Sequence, residues 1–289
     1  MAKVTPIQTN FTGGEISPKL FGRVDLEKYT QSCKTVQNYI VFPHGGLTKR
    51  SGTRFIAECK DSTNNKRLIP FVFSTTQAYV LEFGNDYIRF YRNEGQITSG
   101  GSAYEISSPY GEEYLDDLSF VQSADVLYIT HPEFQTRKLT RTGHTAFTIT
   151  KFEPQDGPYL SDNVTSTTLT ISNVAVGTGR TLTASADTFA ATDVDRVYRL
   201  KDGYGLITGY TSATVVTATV VVAIGSGSAE TDWALGAWSS TTGWPACATF
   251  YQDRLFFANT TNQPNTVFSS KSGDFENFAA NDVSTSAVA

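Results

Sequence analysis

Three histidines, His44, His131 and His144, are the first residues to weigh for chemistry, because imidazole exchanges protons near neutral pH. His44 lies in a Pro-His-Gly-Gly turn, and His131 and His144 lie at the ends of expected hairpins. None has a partner at metal-ligand spacing such as H-E-x-x-H, and no G-x-S-x-G supplies a serine nucleophile. All three read as surface turn residues. The adjacent carboxylates Glu112, Glu113, Asp116 and Asp117 are the residue type of glycoside hydrolysis, but neighbours on a strand point to opposite faces. They read as a solvated acidic turn before Leu118. Gly203-Tyr204-Gly205-Leu206-Ile207-Thr208-Gly209 is close to a dinucleotide fingerprint, with one residue too many before its last glycine and no helical pattern behind it. It reads as a hairpin corner. No catalytic residue, cofactor site or metal site is expected, and the chain does not read as an enzyme.

Two basic groups remain. One is the loop that carries Gly45, Gly46, Lys49, Arg50, Gly52 and Arg54, and the other is Arg137, Lys138 and Arg141. Strand alternation places Arg137, Leu139 and Arg141 on one face. Each group is open to two readings, a solvated rim or a contact with an acidic partner surface or a passing phosphate. In the first group the glycines would serve backbone geometry beside a subunit contact, and Lys49, Arg50 and Arg54 would supply its charge.

The elements that must position these residues follow from composition and pattern. The 289 residues are 39% hydrophobic, 12% aromatic and 18% charged, which describes an ordered globular chain with room for about two domains. Abundant Thr, Ser, Val, Phe and Tyr, with 23 glycines, lean towards strands and turns. A formal net charge of -5 gives no overall field to hold nucleic acid tightly. The three cysteines, Cys33, Cys59 and Cys247, form no C-x-x-C pair and read as buried free thiols. The most apolar run, Val215 to Ile224, is too short to cross a bilayer, so no membrane segment is expected.

Residues 1–23 are punctuated by Pro6, Gly13, Gly14, Pro18 and Gly22 and read as an extended arm. Leu26, Tyr29, Cys33, Val36 and Ile40 have helical spacing, with Asp25 as N-cap, which predicts one N-terminal helix over about 25–38. Thereafter hairpins are expected at Ala78 to Tyr91, about a three-residue loop at Gly84-Asn85-Asp86, at Val126 to Arg141, and at Leu255 to Ser270. Tyr79, Leu127 and Leu255 are aligned as equivalent positions, and Asp125 and Asp253 each precede a strand leucine by two. These aspartates are expected to bond the local backbone. Tyr79 and Leu127 lie about 48 residues apart, near the period of propeller blades, whereas Leu127 and Leu255 lie about 128 apart. The excess of about 80 residues marks an inserted β domain, with Phe152 and Trp244 bracketing the junction.

The fold expected is therefore mainly β, with propeller-like antiparallel blade units, an inserted small β domain and one N-terminal helix. Its parts are 1–60 (arm, helix and Gly-rich loop), 61–156 (blade-like units), 157–243 (inserted domain) and 244–289 (a further blade-like unit). Three units do not close a propeller, whose rings hold about four to eight, so the last unit reads as continued in a longer chain.

Two blocks carry a family resemblance. The first is "FTGGEISPKLFGRVDLEKY" followed by "CKTVQNYIVFPHGGLTKRSGTRFIAE", in which Asn38, Pro43, Gly45, Gly46, Arg50, Gly52, Thr53 and Phe55 hold the spaced pattern. The second is "GWPACATFYQDRLFFANTTNQPNTVFSSKSGDFENF". In order and motif they resemble the tail nozzle proteins of short-tailed bacteriophages, also called tail tubular protein B. The resemblance implies a structural virion component, made in the host cytoplasm, whose copies form a hexameric ring below the head-to-tail adaptor. It implies propeller-like platform domains, neighbours among the tail fibre or spike proteins, and passage of DNA without specific binding. An acidic chain with scattered basic residues suits such a conduit, because each phosphate neutralised adds affinity. Other readings from the same residues are a tail hub or receptor-binding module that touches the host surface through the insert, and a cell-wall hydrolase.

Overall fold

In the computed structural model, which describes residues 7–280, the chain forms two compact units, 1–56 and 57–289. Apart from one parallel strand pair in the first unit, the sheets are antiparallel.

The first unit has a backbone order without a core. Gly14–Glu15 pairs in parallel with Ser32–Cys33, and Tyr39–Val41 pairs antiparallel with Leu47–Lys49. The described part of the arm is pinned rather than loose: Gly13 N–H donates to Gln31 O at 3.0 Å, Ile16 N–H to Cys33 O at 3.0 Å, and Phe11 N–H to Gly45 O at 2.9 Å. The helix expected over 25–38 is instead a 3-10 helix of five residues, Glu27–Gln31, and the chain turns into a strand at Ser32. Asp25 does not cap it but holds Arg23 through two hydrogen bonds. Helical spacing stabilises a helix only when its apolar stripe is buried, and here Gly45 is the sole buried residue between 7 and 56.

The second unit holds three sheets stacked in series, a larger one that is set aside, and a two-stranded ribbon of Thr98–Ser99 with Ser102–Ala103. The first sheet runs Glu105–Ser107, Tyr87–Arg92, Gln77–Gly84, Arg67–Ser74, with Gly95–Gln96 added on Tyr87–Arg92. The second is the meander Ser119–Ser123, Val126–His131, Phe134–Gly143, Ala146–Lys151. The third is Cys247–Tyr251, Arg254–Ala258, Val267–Ser269. The strands form where short runs rich in β-branched and aromatic residues are bounded by turn residues, and the hairpin after Gln77–Gly84 closes on a two-residue loop, Asn85-Asp86, with Gly84 in the strand.

The middle sheet buries both of its faces. Leu127, Ile129, Leu139 and Phe147 pack with Ile69, Phe71, Tyr79 and Leu81 of the first sheet. On the opposite face Val121, Val126 and Tyr128 pack with Phe250, Leu255 and Phe257 of the third. Phe152 and Trp244 belong to this second core.

The strand pairs correct the alignment of the units. Each of three hairpins opens on a pair that flanks a two-residue loop: Ser74 with Gln77, Ser123 with Val126, Tyr251 with Arg254. Two residues beyond stand Tyr79, Tyr128 and Phe256, so these are the equivalent positions, one residue away from the alignment of Tyr79 with Leu127 and Leu255. Because side chains alternate, the shift exchanges faces. Asp125 bonds Arg141, not the nearby backbone, through Oδ1 and Nε at 2.9 Å. The backbone carbonyls of both aspartates accept instead, from Arg141 N–H at 2.9 Å and from Gly273 N–H at 2.8 Å.

Between the second and third sheets in chain order comes a six-stranded antiparallel sheet ordered Leu169–Ile171, Gly177–Ala184, Val215–Val222, Gly203–Ser212, Val197–Leu200, Trp233–Leu235. It curls around a core of its own, to which one edge gives Leu169 and Ile171 and the other Leu235. Gly203 pairs with Leu200 at a hairpin corner, and Gly205 must be glycine because a Cβ would lie 2.1 Å from Thr219 O. Among the described residues no helix is long and apolar enough to cross a membrane.

Candidate functional site

The Gly-rich basic loop lies on the hairpin of the first unit, between Tyr39–Val41 and Leu47–Lys49. Register places Tyr39 opposite Lys49, and Arg50 N–H donates to Asn38 O at 2.8 Å just beyond the last pair. At the tip, Phe42 N–H reaches Gly46 O at 2.9 Å and Gly45 N–H reaches Phe42 O at 3.0 Å, while His44 stacks on Phe42 with ring centroids 5.1 Å apart. Gly45 has φ +102°, and the Asn10 side chain leaves little room for a Cβ there. Gly46 and Gly52 have ordinary backbone angles and no crowding, so geometry demands glycine only at the first of the three. Lys49, Arg50 and Arg54 are exposed.

The same unit also exposes many large apolar side chains. Phe55 is 76% exposed and Val24 75%, and Tyr39, Ile40, Phe42 and Ile56 are exposed as well. Two open hollows, of about 480 and 360 Å3, flank Ile16, Tyr29 and Ser32. Burial yields about 25 cal/mol per Å2, against about 1–2 kcal/mol per residue for fixing the backbone. A unit that buries no side chain cannot offset that cost from its own contacts. What the arrangement can do is dock: a hydrogen-bonded frame presents aromatic side chains and positive charge to another surface.

Two members of the second basic group, Lys138 and Arg141, are taken up internally, and the Nε of the third, Arg137, is buried. Arg141 pairs with Asp125 and lies 4.1 Å over the Phe73 ring, and Lys138 pairs with Glu276 at 2.5 Å. The histidines divide. His144 is exposed but engaged, with Nδ1 2.6 Å from Tyr79 Oη and Nε2 accepting from Arg92 at 2.7 Å. His131 is a correction to the surface reading. It is 3% exposed, its ring meets Tyr114 and Phe134 edge to face, and burial holds its imidazole below the ordinary range. Glu112 to Asp117 form a 3-10 helix with Leu115 buried beneath it. Among the described residues no group of three or more His, Cys, Asp or Glu could hold a metal ion. Cys247 is exposed and Cys33 and Cys59 are half-buried, so the thiols are less enclosed than their residue type suggests.

Two buried polar clusters escape sequence reasoning. Glu82, 2% exposed, accepts hydrogen bonds from Tyr87 Oη at 2.5 Å and from Tyr91 Oη. Burial, followed by the bond to Glu82, pushes the Tyr91 phenol up to about 12 and the Tyr87 phenol higher still. Asp193 and Arg196 form a buried ion pair at 2.8 Å. Thr241 and Ala190 N–H also donate to the carboxylate, and the guanidinium also donates to Gly236 O. Both clusters are saturated with internal partners, which marks them as architecture. Neither a protein-family model nor a curated protein sequence matches the chain.

Proposed function

We propose that the protein is a structural component of a bacteriophage tail. Its copies form a ring, the nozzle, below the head-to-tail adaptor, and DNA leaves through that ring. The observation that carries this reading is the first unit, which has fifty described residues, a hydrogen-bonded backbone frame and no buried side chain. Such a unit reaches a stable state by assembling, and it lies in the block whose residues, Asn38 to Phe55, carry the resemblance to tail nozzle proteins. The stacked sheets support the same reading, since successive antiparallel sheets with equivalent residues facing one way are how propeller blades are arranged. A net charge of -5 suits a conduit that must release DNA.

In this reading Gly45 shapes the loop, Lys49, Arg50 and Arg54 steer a neighbouring subunit or the adaptor, and the exposed aromatics supply the contact area. Rim charges govern association more than monomer stability. The double variant R50E/R54E is expected to weaken ring or adaptor assembly, read by mass in solution, with an unchanged circular dichroism spectrum. Wild-type assembly by that variant would remove the loop from the contact.

A further inference from the structure

Each sheet of the stack has a front, which bears Tyr79, Tyr128 or Phe256, and a back formed by the alternate residues. The front of the first sheet is covered by the back of the second, where Leu127, Ile129 and Leu139 are wholly buried. The front of the second is covered by the third, with Phe250 5.9 Å from Tyr128, edge to face. Among the described residues two faces of this series are left over. The front of the third sheet presents Phe256, Tyr251, Val267, Ala258 and Cys247 around an open hollow of about 430 Å3. Tyr251 is 63% exposed and Val267 51%. The back of the first sheet presents Leu68, Val72, Ala78 and Val80, with Leu68 65% exposed. Two contiguous apolar sheet faces of this kind mark interaction surfaces.

We propose that these two faces are one contact divided between copies: the front of the third sheet in one molecule docks on the back of the first sheet in the next. The molecule already makes this contact twice within itself, an aromatic front against an apolar back. The aliphatic back that Phe256 lacks stands exposed on the same chain, at Ala78 and Val80, the positions equivalent to Leu127 and Ile129. Of the charged side chains on that back, Glu82 is enclosed by Tyr87 and Tyr91, and Glu105 is paired with Arg89 at 3.1 Å and with Lys60 at 2.7 Å, so no carboxylate there stands unpaired. The contact is head to tail, so it closes into a ring or extends, and it does not depend on the tail role or on the first unit.

The full chain tests this by sedimentation equilibrium over rising concentration. The front variant Y251E/V267E and the back variant V72E/V80E alter exposed side chains, and their melting curves report whether each stays folded. The wild type is expected to self-associate, and each variant alone to do so at least about tenfold more weakly. An equimolar mixture of the two variants is expected to form a one-to-one complex and nothing larger, because one intact front and one intact back remain. In the same equimolar mixture with R50E/R54E added to both variants the one-to-one complex is expected to persist, because that pairing uses the two sheet faces whether or not the basic loop contributes to a larger ring. A monomeric wild type, folded variants that associate as the wild type does, a mixture that fails to pair, or loss of the pairing in R50E/R54E would each overturn the proposal.

Discussion

Tyr128 and Phe256 hold the same place in successive sheets, two residues past the opening pair of their hairpins, yet Tyr128 is 4% exposed under Phe250 while Phe256 looks outward. The same residue class at the same position differs in energy only through what covers it. Tyr128→Ala is expected to cost about 3–5 kcal/mol in denaturant unfolding of the second unit, the range for emptying a buried aromatic site. Phe256→Ala is expected to cost less than half as much in the isolated chain. Equal costs would contradict the assignment of faces.

Asp193 and Arg196 tie the curled sheet to the turn that leads back to the third sheet, through Thr241 and Gly236. Removing one partner strands the other as a buried charge, which costs about 3–5 kcal/mol. Asp193→Ala is therefore expected to lose stability on that scale, with faster hydrogen exchange across 197–207 before the first two sheets respond. An unaffected exchange pattern would show that the pair is not structural.

Alkali is expected to open the back of the first sheet. The Tyr91 phenol is raised in the folded state to about 12, by burial and then by its bond to Glu82, against an unfolded value of about 10. A raised phenol favours the folded state at all pH below the unfolded value, and that contribution falls away as pH climbs through 10 towards 12. Ultraviolet titration should show late-ionising tyrosines, and Glu82→Gln should lower their apparent values. Ordinary titration of every tyrosine near 10 would contradict it.

Acid acts through His131, whose imidazole is depressed by burial between Tyr114 and Phe134. A folded value below the unfolded value of about 6.5 stabilises the protein above that pH, and the contribution is lost as pH falls through and below it. The His131 ring resonances are expected to titrate below 6.5 by NMR, with a matching loss of stability. His131→Phe should flatten that slope.

The hairpins were legible because short apolar runs and the turn residues between them are local properties of the chain, as at Gln77–Gly84, Val126–His131 and Arg254–Ala258. The helix over 25–38 misled because spacing implies a buried stripe only where a core exists to receive it. The alignment slipped by one residue in the first unit alone: Asp125 and Asp253 do hold the same place, each closing its two-residue turn, whereas the first turn, Thr75-Thr76, has no aspartate to fix where Tyr79 belongs. Arg141 looked free because its partner, Asp125, lies sixteen residues away, across a hairpin. Glu82 was hidden for a related reason: nothing local tells that Tyr87 and Tyr91 will close over it.

The tail reading stands or falls on where the protein sits, and a cryo-electron microscopy map of the intact particle measures that directly. The expected density is a ring of six copies on the channel axis below the head-to-tail adaptor, with residues 7–56 buried between neighbours. Density in the capsid shell, or in a spike away from the axis, would contradict it.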